Sequence, residues 1–234
     1  RVTLKYMPID DIVIRANGGR GLRYSTPLVD NIGVFSTGKD FLGAYGEHIL
    51  EDAWTFGGNL TYYMPLGASS NTYLSFDYFR TQFAQQMVVD YEHTPQAINF
   101  YALNDNRSYT DNFQLDFSVD PIERFNITAT FRYTNAMIEL DGKGLVERPM
   151  TSRFKGVLNL QYATNLNKWI FDFTASLNGS CRVYNFMEYI NEDGTSTVNP
   201  KNGVARLYKN GRTPVYPLLY AQVTRRFKGW DVYL

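Results

Sequence analysis

Between Asn112 and Thr134 apolar and polar positions alternate almost without interruption. Phe113, Leu115, Phe117 and Val119 fall on one register, and Asn112, Gln114, Asp116 and Ser118 on the other. After a turn around Asp120 and Pro121, Phe125, Ile127, Ala129, Phe131 and Tyr133 alternate with Asn126, Thr128, Thr130, Arg132 and Thr134. A period of two over this length predicts a β-hairpin whose strands each carry one apolar and one polar face. The pattern recurs and predicts about ten strands, near residues 2–7, 12–19, 53–64, 73–91, 112–119, 125–139, 153–162, 169–182, 218–227 and 230–234. No stretch has convincing helical periodicity, and Gly and Pro gather in the connections.

The connections alternate between short (8–11, 65–71, 120–124, 163–168 and 228–229) and long (20–52, 92–111, 140–152 and 183–217). In an up-and-down meander every second connection lies at the same end, so the short turns share one end and the long loops the other. Tyr6, Tyr62, Phe125, Tyr162, Trp169 and Trp230 sit at strand tips beside the short turns. Aromatic tips suit a girdle at a membrane–water boundary, and short turns opposite long loops suit an outer-membrane barrel. Arg15, Asp77, Asp116, Arg132, Lys155 and Asp172, with Arg226 and Asp231, fall on the polar register. They predict a hydrated interior, although they would equally serve as the wet outer face of a soluble sandwich.

Composition narrows the classes. The chain has 234 residues, 44% hydrophobic and 16% aromatic, with 23 basic against 23 acidic residues. Zero net charge offers no basic field for nucleic acid. The single cysteine, Cys181, excludes an intrachain disulfide. No apolar run approaches the roughly 18 residues of a membrane helix. The chain opens on Arg1-Val2-Thr3-Leu4 and stops inside an alternating run, so it is expected to be a piece of a longer polypeptide.

Several segments taken in order resemble TonB-dependent outer-membrane receptors, closest in flavour to those of the Bacteroidetes. They are RANGGRGLRYSTP from Arg15, EDAWTFGG from Glu51, YLSFDYFRTQFAQQMVVDY from Tyr73 and VTRRFKGWDVYL from Val223. The resemblance implies an all-β fold, an antiparallel up-and-down transmembrane barrel of about 22 strands closed around a plug. This chain would be one partial barrel domain over residues 1–234, supplying roughly ten strands of the C-terminal half. It further implies active transport in the bacterial outer membrane. A scarce small molecule or oligosaccharide would be bound by the outer loops and imported with energy delivered through the TonB complex, which contacts parts absent from this chain. The partners would then be outer-membrane lipid, substrate and TonB, with no nucleic acid.

Candidate chemistry is sparse. Gly18-Gly19-Arg20-Gly21 is followed by no helix pattern, so a phosphate cradle is not supported. His48 and His93 sit in different loops without metal-ligand spacing, and the acidic run 188–193 lacks the spacing of a calcium loop. No nucleophile elbow or catalytic set is visible, so neither an enzyme nor a cofactor is expected. An Asp77–Asp116 carboxylate pair is conceivable, but salt bridges to Arg132 or Lys155 are the expected fate of those groups. Arg20, Arg23, Tyr45, His48, Tyr91, His93, Tyr101, Tyr184 and Tyr189 are the substrate-binding candidates, being charged or aromatic groups at the rim and in the long loops. Phe35, Phe41, Phe100, Tyr109, Phe186, Tyr208 and Tyr216 crowd the same loops, and mutual packing is an equal alternative for all these aromatics. Two other functions stay open at this stage: a soluble β-sandwich or adhesin module recognising glycan or protein, and a ten-stranded outer-membrane enzyme.

Overall fold

Among the described residues the chain forms fifteen strands: β1 (Val2–Ile9), β2 (Ile12–Tyr24), β3 (Asp40–Gly43), β4 (Leu50–Tyr63), β5 (Tyr73–Asp90), β6 (Ala97–Leu103), β7 (Tyr109–Ile122), β8 (Phe125–Leu140), β9 (Gly144–Glu147), β10 (Phe154–Ala163), β11 (Trp169–Asn178), β12 (Tyr189–Ile190), β13 (Ser196–Thr197), β14 (Tyr216–Arg226) and β15 (Asp231–Tyr233). They come from a computed structural model that describes the chain except residues 69–71, 95, 105–106, 185–188, 191–195 and 198–210, with 189–190 and 196–197 described as backbone alone.

Ten strands form one antiparallel meander in the order β1-β2-β4-β5-β7-β8-β10-β11-β14-β15. The expected up-and-down wall is therefore present. Its end strands β1 and β15 do not pair, so the ten-stranded closure required by the enzyme alternative is absent. A sandwich needs a second sheet over the first. Among the described residues the other sheet is only the short β12–β13 pair.

Register partners share a face, which fixes what each side of the wall carries. One face holds Phe56, Leu60, Phe76, Leu115, Phe131, Leu158, Phe171 and Phe173. They remain uncovered, Phe131 at 49% and Phe56 at 48% exposure. Across it run rows of partnered residues. Tyr78, Phe113, Tyr133 and Phe154 make an aromatic row nearer the loops, with Gly58 next to Tyr78 in register. Phe125, Tyr162 and Phe171 make a second near the short turns. Phe125 and Tyr133 are eight residue steps apart on β8. At about 3.4 Å per residue and a tilt of about 40°, the rows lie roughly 20 Å apart, close to the ~25 Å apolar band of outer-membrane barrels. Directly above the upper row the same face turns polar, with Arg80 paired to Asp111 and Arg20 to Asp52.

The other face carries the eight charged residues expected there, and a web of amides and hydroxyls. Arg15 donates to Asn59, Asn59 donates to Asp77, and Asp116 accepts from Gln114 and from Thr130 at 2.6 Å. Arg132 donates to Gln114, and Asp172 accepts from Asn159 and Gln161. Lys155 lies opposite Arg132 in register. The anticipated salt bridges of Asp77 and Asp116 to Arg132 or Lys155 do not form, and the two carboxylates do not bond each other. Register explains this: Asp116 faces Thr130 and Ser75, while Arg132 faces Gln114.

The turn end is tight. Gly67 has φ of +84°, and a Cβ there would lie 2.2 Å from the Asp120 carbonyl, so only glycine lets the two neighbouring turns approach. The long connections depart furthest from expectation. Residues 20–24 extend β2 rather than opening a loop, and the next connection holds α1 (Pro27–Asp30), a 3-10 turn (Ile32–Thr37) and β3. β3 pairs in parallel with β6, which pairs with the upper part of β5. The buried cluster Val34, Ile98 and Phe100 sits here, packed by Leu28, Phe41, Met87, Val89 and Tyr91. The loops thus hold a small core of their own, while the wall offers both faces to its surroundings.

An arginine on the apolar face at mid-band should cost about 2–4 kcal/mol of unfolding free energy in a bilayer. Ala129→Arg is therefore expected to lose that amount in reversible unfolding of the complete polypeptide. Thr130→Arg, one residue on and facing Asp116, should lose far less. Equal costs would contradict the assignment of faces.

Candidate ligand-binding site at the loop end

The polar face leads upward into a cavity of about 580 Å³ among the loops. The end of β2 supplies Arg23, the start of β4 Glu51, and the upper part of β5 Phe83, Gln86, Met87, Val89 and Asp90. Pro27, Asp30 and Asn31 close one side. Ile138, Leu140, Arg148 and Pro149 close another, and Tyr91, Glu92 and Tyr184 complete it.

Most charges in its walls are committed to each other. Arg23 pairs with Glu51 at 2.6 Å and with Asp30 at 3.3 Å. Glu92 is 1% exposed, and its carboxylate accepts a fork from Arg182 and a bond from Lys143 Nζ at 2.8 Å. Three connections, those after β5, β8 and β11, are thereby fastened at one buried carboxylate, an arrangement that stays favourable only while fully paired. Behind it, Glu147 of β9 receives both terminal nitrogens of Arg212 at 2.7 and 2.9 Å and Arg153 at 2.8 Å. Burial pushes the Asp90 carboxyl up, opposed by the Glu92 backbone N–H and by Lys143.

Two features are left to meet a ligand. Tyr91 and Tyr184 lie with ring centroids 5.3 Å apart at 43°. Burial raises both phenols, so each is a neutral O–H at physiological pH. Neither hydroxyl has a hydrogen-bond partner among the described residues. Arg148 is exposed and pairs with no carboxylate among them. An aromatic shelf, two phenol donors, one unpaired guanidinium and the amides of Asn31 and Gln86 can hold a polar small molecule by stacking and hydrogen bonds. Among the described residues no group of His, Cys, Asp and Glu is placed to hold a metal ion.

Three of the nine candidates, Arg23, Tyr91 and Tyr184, converge here. The others are elsewhere. Arg20 lies on the opposite, apolar face, bound to Asp52 and 5.8 Å from the Trp54 ring, because it is an odd number of steps from Arg23 on one strand. Tyr45 packs on Phe41 and Phe100. His48 Nδ1–H donates to the Ser25 carbonyl at 2.8 Å. His93 is exposed beside the cavity-lining Glu92. Tyr101 accepts from the Asp141 backbone N–H, and burial pushes its phenol up to about 12. The side chain of Tyr189 lies outside the described residues, as do Phe186, Tyr208 and most of the acidic run 188–193. Mutual packing holds for Phe35, Phe41, Tyr45 and Phe100. Arg148, Asn31, Gln86, Asp90 and Glu92 were not expected, since nothing local distinguishes them from other solvated loop groups.

No protein-family model matches the chain, and no curated protein matches it. Solved structures do. The siderophore receptor PirA from Acinetobacter baumannii superposes with a TM-score of 0.63 at 12% identity, over 99% of this chain and 35% of that one. The ferric enterobactin receptor PfeA from Pseudomonas aeruginosa, in complex with enterobactin, gives 0.61 at 13% identity, over 97% and 32%. FpvA of P. aeruginosa, bound to a pyoverdine, gives 0.59 at 11%, over 97% and 26%. The chain therefore spans about a third of the length of the receptors it matches. At such identities the likeness is one of fold: this is the antiparallel wall of a barrel built like those of TonB-dependent siderophore receptors.

Burial alone would raise the Glu147 carboxyl, but the hydrogen bonds from Arg212 and Arg153 outweigh it and hold the group below its usual 4.5. A depressed carboxyl contributes stability that is complete above its unfolded pKa and is lost as pH falls through the folded one. A spin label at Leu145 on β9 should be immobile at neutral pH and gain mobility only on acidification below about 4.5. In Glu147→Gln it should be mobile throughout. Unchanged mobility into strong acid would contradict the clamp.

Proposed function

We propose that this chain forms wall and outer loops of an import receptor in the outer membrane of a bacterium. The receptor captures a scarce small molecule or oligosaccharide at the loop end. It passes the solute inward when a plug, carried by other parts of the polypeptide, is rearranged with energy delivered through TonB. The observation that carries the reading is the position of the cavity: it opens at the loop end and is continuous with the polar face of the wall. A solute bound by Tyr91, Tyr184 and Arg148 would leave along a surface of amides, hydroxyls and charges. The uncovered apolar face, with its aromatic rows roughly 20 Å apart, supports the membrane setting. The fold neighbours are transport receptors and not enzymes, and the walls of the cavity offer binding groups rather than a nucleophile with its base.

Cells producing the complete polypeptide should be offered labelled ferric siderophores, haem, cobalamin and oligosaccharides. One compound should accumulate, and accumulation should stop when TonB is deleted. Tyr91→Ala combined with Tyr184→Ala should weaken its capture about tenfold, equivalent to ~1.4 kcal/mol, with unchanged receptor abundance. Accumulation that persists without TonB would overturn the proposal.

A further inference from the structure

Three arginines of the wall strands lie on the apolar face, and their charges are settled differently. Arg20 is paired with Asp52 at 2.7 Å and Arg80 with Asp111 at 3.1 Å, both on the loop side of the aromatic row. Arg225 lies at the opposite, short-turn end and forms no ion pair among the described residues. Its register partners are Trp169 on β11 and Val232 on β15. Its guanidinium carbon stands 4.4 Å from the Trp169 ring centroid and 5.2 Å from that of Phe227. Phe227 in turn stacks on Trp230 at 4.2 Å. The Arg225 Nε is buried among these rings without a hydrogen-bond partner.

The surroundings add positive charge and no counter-charge. Lys168 immediately precedes Trp169, and its carbonyl accepts from the Arg226 backbone N–H at 2.9 Å, which fixes the turn against β14. Lys228 occupies the turn between Phe227 and Trp230. Neither lysine pairs with a carboxylate among the described residues. The nearby carboxylate, Asp231, is register partner to Arg226 and bonds it on the polar face, away from Arg225. The corner thus sets the Arg225 guanidinium against the Trp169 and Phe227 rings, with Lys168 and Lys228 in the two adjoining turns, at the end of the apolar face. A cation held on a lipid-facing surface needs a counter-ion, and none of the described residues provides one. The anionic group available at that depth is a lipid phosphate.

We infer that the corner formed by the turn ends of β11, β14 and β15 binds the phosphate of an anionic phospholipid in the leaflet facing the short turns, with Arg225 as the anchor. Lys168 and Lys228 supply further charge, and the rings of Trp169, Phe227 and Trp230 hold the guanidinium at headgroup height. The inference rests on the membrane-barrel reading of the wall.

The complete polypeptide, reconstituted in nanodiscs of phosphatidylcholine with a minor share of phosphatidylglycerol, should retain phosphatidylglycerol beyond its share in native mass spectra. Replacing Arg225, Lys168 and Lys228 together by Gln should lower that retention about tenfold. Arg225→Lys should keep most of it, which separates charge from fold, and Arg20→Gln on the same face should leave it unchanged. Equal retention by the wild type and the triple variant, or no preference for phosphatidylglycerol in the wild type, would overturn the inference while the barrel stands. Failure of the wild type to enter the bilayer would overturn the barrel reading and this inference with it.

Discussion

The rest of the structure depends on one constraint, the pairing of backbone N–H and C=O groups in a single antiparallel ladder from β1 to β15. Inside hydrocarbon no water can satisfy an open backbone group, so a chain that crosses as strands must bond every strand to a neighbour. Once the ladder is continuous, side chains take alternate faces. On the proposed membrane setting the wall needs no second layer, because lipid would cover one side and water the other. This is why Phe56, Phe131 and Leu158 can lie uncovered. The compact apolar cluster is instead found in the loops, around Ile98 and Phe100, where water surrounds the chain and burial has its ordinary value.

Charge follows the same geometry. On the polar face carboxylates are met by amides and hydroxyls at ladder register, which suits a hydrated surface where a full ion pair gains little. At the loop-side edge of the apolar band each arginine has its own aspartate. In the loops, buried carboxylates gather cations from different connections: Glu92 holds Lys143 and Arg182, and Glu147 holds Arg153 and Arg212. The first clamp stands in the wall of the cavity that Tyr91, Tyr184 and Arg148 also line. Arg225 departs from this pattern: among the described residues it has aromatic rings and no carboxylate beside it.

The wall was legible in the sequence because its information is local. Alternation from Phe113 to Tyr133 states both strands and both faces, and the order of short and long connections states the topology. Strand ends were less legible: the stretch from Arg20 onward reads as a loop, yet β2 continues through Gly21 to Tyr24, held by pairing with β4. Pairing with distant residues also hid β3, β6 and β9, whose partners decide their conformation more than their own few residues do. The site was partly legible. Tyr91 and Tyr184 stood out as loop aromatics, but their meeting joins segments far apart in the chain. Arg148 has no local mark at all; it stands out only because, among the described residues, it lacks the carboxylate that Arg23, Arg153, Arg182 and Arg212 each have.

The central claim is that the two faces of the wall meet different solvents. Single spin labels at each position from Phe125 to Tyr133 in the complete, membrane-reconstituted polypeptide test it most directly. Collision with oxygen, which concentrates in lipid, is expected at the odd-numbered positions, and with a water-soluble nickel chelate at the even-numbered ones. Uniform access of the chelate to both registers would contradict it.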